Sequence, residues 1–155
     1  MKGIVMDIER AVSLFRQREN GYSCSEAVLL AHARDLDLPC STAAKIACGF
    51  AGGMGGMAGT CGLVTGAYMV LGLRFGSESS KDRKAKELTW EAVREFSHRF
   101  HLGNGSILCR DLLGHDISTP EGSRRAARSD CYSRVCLQLF RTTLEILQDM
   151  LEADQ

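Results

Sequence analysis

Cys48-Gly49-Phe50-Ala51-Gly52-Gly53-Met54-Gly55-Gly56-Met57-Ala58-Gly59-Thr60-Cys61-Gly62-Leu63-Val64-Thr65-Gly66 is the stretch from which this fold is read. No charged residue occurs from Ile46 to Leu73, and the glycines thin into the apolar run Ala67-Tyr68-Met69-Val70-Leu71-Gly72-Leu73. Such a run makes poor surface and poor linker. It reads as a glycine-lined turn feeding a buried helix, with Cys61 where the helix starts. Glycine removes side-chain bulk, so backbone or a cofactor approaches closely. A helix start offers free N–H groups and the positive end of a dipole, which favour a thiolate over a thiol. The run is long enough to span a bilayer at about 1.5 Å per residue. Its two Gly-Gly pairs argue against a continuous membrane helix and for a buried segment.

Upstream of the turn, Ser41-Thr42 is expected to cap a helix over about Ala43 to Phe50. Before that, Ser23-Cys24-Ser25-Glu26 matches a capping box, with Ser at the cap and Glu three residues later. The helix it opens should run to about Arg34, with Ala27, Leu30 and Ala31 inward, Val28 near the edge and Cys24 in its first turn. Asp35 to Pro39 is the connection. The first periodic segment runs from about Ile4 to Glu19, with Ile4, Ile8, Val12 and Phe15 on one face, and Asn20-Gly21 ends it.

Downstream, a helix is expected from Gly62 to Leu73, then a polar linker, Gly76 to Ser80. An amphipathic helix follows over about Lys81 to His101, its stripe formed by Ala85, Leu88, Ala92, Phe96 and Phe100. Gly103 to Ser106 stops it and caps a short helix, Ile107 to Leu113, carrying Cys109. Thr119-Pro120-Glu121 is a helix-start signature. Ser129-Asp130 caps a final helix to about Glu152, with Cys131 in its first turn. Tyr132, Cys136, Leu139, Phe140, Thr143, Leu147 and Met150 lie along one side of it. No alternation of strand type occurs. The expected architecture is all-α: one domain over 1–155, a bundle of six to eight helices with a glycine-rich buried turn.

The 155 residues suffice for one domain with a real core. Apolar content of 45 % and charged content of 25 % are those of a soluble globular protein. The formal net charge is zero, so nothing global points to nucleic acid or an acidic membrane surface. A neutral protein self-associates readily, which favours a homo-oligomer. The N-terminal residues lack the apolar core of a signal peptide, which suggests the cytosol and no membrane insertion.

Seven cysteines occur: Cys24, Cys40, Cys48, Cys61, Cys109, Cys131 and Cys136. In a reducing compartment they favour metal binding or thiol redox chemistry over a disulfide framework. Cys24, Cys61 and Cys131 fall at expected helix starts, where thiol pKa values drop and thiols become metal ligands or nucleophiles. Cys109 could complete a set of four assembled from distant parts of the chain. Cys40, Cys48 and Cys136 read as small hydrophobes in the packing.

The order Cys24, Gly-Gly-Met-Gly, Cys61-Gly62-Leu63-Val64-Thr65-Gly66, Cys109 and Cys131-Tyr132 resembles the C-GCAxxG-C-C family of redox-active proteins, over about residues 20 to 150. The resemblance implies that Cys24, Cys61, Cys109 and Cys131 are the family's four cysteines and Gly62 and Gly66 its motif glycines, candidates for lining a cofactor. Leu63 stands where the family has Ala, a bulk that would narrow cofactor space beside Cys61. The family is similar to split-Soret cytochromes, but covalent haem needs Cys-x-x-Cys-His, which is absent.

Other chemistry is weaker. No Lys follows the glycines, so a phosphate loop is excluded, and a dinucleotide fingerprint would need a preceding strand. Met54 and Met57 read as packing in the turn rather than soft ligands. His32, His98 and His101 read as solvated surface, leaving His115, after Cys109, as the one to watch. Arg124, Arg125 and Arg128 read as a solvated helix face. Two functions remain. In the first, Cys24, Cys61, Cys109 and Cys131 converge to hold an iron–sulfur cluster or another soft metal, or to cycle between dithiol and disulfide, with Cys61 the most reactive thiolate and the redox partner unnamed. In the second, the chain is a non-enzymatic helical dimerisation module with structural cysteines.

Overall fold

A computed structural model describes residues 7–16 and 21–154. Among these, eight helices follow one another: α1 (Ile8–Arg16), α2 (Cys24–Ala33), α3 (Cys40–Cys48), α4 (Gly62–Phe75), α5 (Arg83–Asn104), α6 (Cys109–Leu113), α7 (Pro120–Arg128) and α8 (Cys131–Ala153). The chain is an all-α domain, as its periodicity predicts. Ile4, Glu19 and Asn20, which bounded the first expected helix, lie outside the described residues.

The central element is α4. Every residue from Gly62 to Ala67 is buried, as are Val70 and Leu71. A helix apolar on all sides must be covered on all sides, and α2, α5 and α8 pack around it. None of the described helices is long and apolar enough to cross a membrane. The other elements lean on this core. Phe15 of α1 stacks on Phe140 of α8 with ring centroids 4.5 Å apart, and Glu9 and Arg141 pair across the same seam. Phe96 and Phe100 of α5 are fully buried, with Tyr68 of α4 edge-on to Phe96.

The capping box forms as expected. Ser23 caps α2, and the Glu26 carboxylate accepts from the Ser23 backbone N–H at 2.8 Å. Thr119 and Pro120 open α7 in the same anticipated way. The inward face of α2 differs from expectation. Ser25, Val28, Leu29, His32 and Ala33 are buried, whereas Ala27, Leu30 and Ala31 are only half-buried. The cause is that α2 is sandwiched between α3 and α4, so small and polar residues also go inside. The Ser25 hydroxyl donates to the Ala47 carbonyl of α3 at 2.8 Å. His32, expected on the surface, is 1 % exposed, with Nδ1 2.9 Å from the Val28 carbonyl and Nε2 without a partner. Burial pushes its pKa down.

Two further expectations fail on exposure. Helix α3 begins at Cys40 after Pro39, not at Ala43 after Ser41-Thr42, and Cys40 and Cys48 are both exposed rather than packed. Leu88 of the expected α5 stripe is 44 % exposed, and the fully buried part of that stripe is Phe96 and Phe100.

Candidate functional site

The glycine stretch forms a tight fold closed by its own backbone. The N–H of Ala58 donates to the Gly52 carbonyl at 3.0 Å and that of Gly59 to the Gly53 carbonyl at 2.9 Å. Gly53 has φ +71°, and a Cβ there would sit 2.5 Å from the Gly59 nitrogen, so only glycine fits. Met54 and Met57 point outward, the latter 64 % exposed, which corrects their expected packing role. Such a fold has few side chains of its own to hold it. Arg110 does so instead, donating to the carbonyls of Ala58 at 3.0 Å and Met57 at 3.2 Å.

The fold delivers Gly59-Thr60-Cys61 against Ile107-Leu108-Cys109. Thr60 and Leu108 form an antiparallel β-bridge. On either side of it, the Cys61 N–H donates to the Ile107 carbonyl at 2.8 Å and the Cys109 N–H to the Gly59 carbonyl at 2.7 Å. Cys61 then caps α4 and Cys109 opens α6.

Gly62 and Gly66 bring in the third cysteine. A Cβ on Gly62 would lie 3.3 Å from the Cys24 Cβ, and one on Gly66 would lie 2.9 Å from the Val28 Cβ. Their missing side chains let α2 press against α4, setting the start of α2, Cys24, beside Cys61. Gly66 is taken up in this helix contact, while Gly62 also borders the cavity described next.

Cys24, Cys61 and Cys109 border one cavity of about 310 Å³. Cys61 and Cys109 are buried; Cys24 is half-buried. Cys131 is not on the cavity wall. Its thiol lies 3.6 Å from the Leu113 carbonyl and 2.6 Å from the Ser129 hydroxyl, which is 3.3 Å from His115 Nε2. Cys136, read as packing, is buried and borders the cavity. The signal for it was its place on the inward stripe of α8 with Leu139. No sequence signal marked Arg110.

The three thiols sense one another. Burial pushes the Cys61 thiol up to about 12, helped by the neighbouring Cys24 and Cys109. The backbone N–H groups of Leu63 and Val64 oppose the rise, as expected of a helix start, but they are outweighed. Burial and Cys24 likewise push Cys109 up to about 11 against the pull of Arg110. The expectation that Cys61 is the most reactive thiolate is therefore corrected: desolvation in a packed wall exceeds the local dipole. Among the described residues no three His, Cys, Asp or Glu side chains are grouped to hold one metal ion.

A family model described as "Putative redox-active protein (C_GCAxxG_C_C)" matches residues 22–150. Searches of the curated proteins and of the solved structures return no match.

Proposed function

Because the chain belongs to the C_GCAxxG_C_C family of redox-active proteins, we propose that Cys24, Cys61 and Cys109 form a thiol–disulfide centre. Cys24 meets the substrate, and one of the two buried thiols completes the disulfide. The observation that carries this is the meeting of Cys24, Cys61 and Cys109, together with Cys136, on one cavity wall, with only Cys24 less than buried. The Cys24 thiolate attacks one sulfur of a substrate disulfide and releases the first thiolate. Cys61 or Cys109 then attacks Cys24 Sγ and passes its proton to the second sulfur as it leaves, while the first thiolate takes up from water the proton that Cys24 gave up on ionising. Two protein thiols are oxidised and one substrate disulfide is reduced to two thiols. The raised pKa values keep Cys61 and Cys109 as thiols in the resting protein and leave the first attack to Cys24. A reducing cytosol fits a chain of seven cysteines.

A soft metal centre is the second reading. It is favoured by the grouping of the same thiols, whose mutual repulsion as thiolates a bound cation would relieve. A single ion does not fit the present grouping. An iron–sulfur cluster, whose sulfides hold its ligands further apart, would draw on Cys24, Cys61, Cys109 and Cys136.

Differential alkylation with mass spectrometry, on protein purified without oxygen and then oxidised, separates the two. A disulfide from Cys24 to Cys61 or Cys109, lost in Cys24→Ser and kept in Cys40→Ser, is expected. Stoichiometric iron and acid-labile sulfide would replace the thiol reading with the cluster.

A further inference from the structure

We infer that the cavity beside Cys24 selects an uncharged, largely apolar small disulfide and turns away charged ones such as glutathione disulfide. This rests on the thiol centre proposed above. Among the described residues no Lys, Arg, His, Asp or Glu borders the cavity. Its walls away from the sulfurs are Leu112, Leu113, Ile117, Leu139 and two tyrosines, Tyr22 and Tyr132, joined by Ser23 and by glycine backbone. A volume of about 310 Å³ suits a compact ligand of small-molecule size.

Three helix starts meet here, and helix starts attract anions, so their donors matter. Several of them are engaged within the chain. The Ser23 N–H is held by Glu26, whose negative charge also offsets the α2 dipole. The Cys61 and Cys109 N–H groups are spent on Ile107 and Gly59. That of Val64 is spent on the Cys61 carbonyl at 3.0 Å. Nearby, Arg110 is turned onto the glycine fold and lies 3.8 Å from Asp116. A carboxylate entering the cavity would lose water and gain no counter-charge, which is costly. An apolar disulfide loses nothing and covers the leucines.

The test uses the reduced full chain carrying Cys40→Ser and Cys48→Ser, because both exposed thiols would otherwise report. Three probes are compared: dipyridyl disulfide, uncharged; dithiobis-nitrobenzoate, a dianion; and glutathione disulfide. Each rate of thiol release is divided by that probe's rate with a free cysteine peptide. The uncharged probe should be favoured about tenfold or more, given the cost of an unpaired buried charge. Tyr22 is half exposed, so Tyr22→Lys should fold. It should raise the dianion's normalised rate relative to that of the uncharged probe by about tenfold, since a cation at a cleft mouth steers anions. Equal normalised rates for all probes would overturn the selectivity and leave the thiol centre standing. No Cys24-dependent release from any probe would overturn both.

Discussion

Cys40 and Cys61 both stand at the start of a helix, yet one lies on the surface of α3 and the other in the wall of the cavity. The difference comes from what lies opposite. Helix α3 packs against α2, and its outer face, with Ile46 51 % exposed, meets solvent. The start of α4 is enclosed by α2, the glycine fold and the 107–109 segment. A helix start alone thus makes no centre; convergence of segments does, and burial then reverses the expected acidity of the thiol.

The strongest way to break this contrast is at the α2–α4 contact. Gly66→Ala should cost about 2–3 kcal/mol by overpacking, because its Cβ would meet Val28 at 2.9 Å and the Ser25 carbonyl at 3.0 Å. Gly72→Ala, on the same helix with open space around it, should be neutral or stabilising by up to about 1 kcal/mol. Urea unfolding of the two variants checks this. Equal effects would mean the close approach is not what sets Cys24 beside Cys61.

Native-state alkylation sharpens the comparison. A thiol at about 12 is a thiolate in roughly one molecule in ten thousand at pH 8. Cys40 and Cys48 should therefore be modified at least about 100-fold faster than Cys61 and Cys109. Rapid labelling of Cys61 in the folded protein would contradict the burial argument.

Arg110→Ala removes the clamp on the Met57 and Ala58 carbonyls and should cost about 1–2 kcal/mol. It also removes the charge that lowers Cys109, so the Cys109 thiol should titrate at still higher pH. A Cys109 alkylation profile that stays in place would separate the clamp from the electrostatics.

The smallest effect concerns His32 on the buried side. Its folded pKa lies below its ordinary value of 6.5, and burial is the main cause. The unfolded chain therefore takes up a proton first, and stability is lost as pH falls below about 6.5. His32→Leu should flatten that slope between pH 7.5 and 5, followed by urea midpoints. An unchanged slope would assign the acid sensitivity elsewhere.

How far the sequence could be read follows from range. Ser23-Cys24-Ser25-Glu26, Thr119-Pro120 and the apolar run after Cys61 are local signals, and each sits where the chain shows it. The buried face of α2 was not legible because neighbours on two sides, not hydropathy, select Ser25 and His32. The exchange of Cys131 for Cys136 at the cavity depends on how α8 is rotated against α6. Five residues along a helix turn through about 500° at 3.6 residues per turn, so the two thiols face different surroundings. The pairing of Thr60 with Leu108 spans one residue on each side and leaves no alternating pattern to read.

That bridge also orders events in time. The amide of Cys61 is completed only by Ile107, and the intervening chain forms α4 and α5. During synthesis, Cys24 and Cys61 emerge well before their third member and wait as unfinished neighbours. The loop that must close carries a modest entropy penalty, and its closure is non-local, hence slow. The cavity wall that joins Cys61 to Cys109 is thus completed only once Ile107 has been made, and a chain halted before it carries these sulfurs without the walls that bury them.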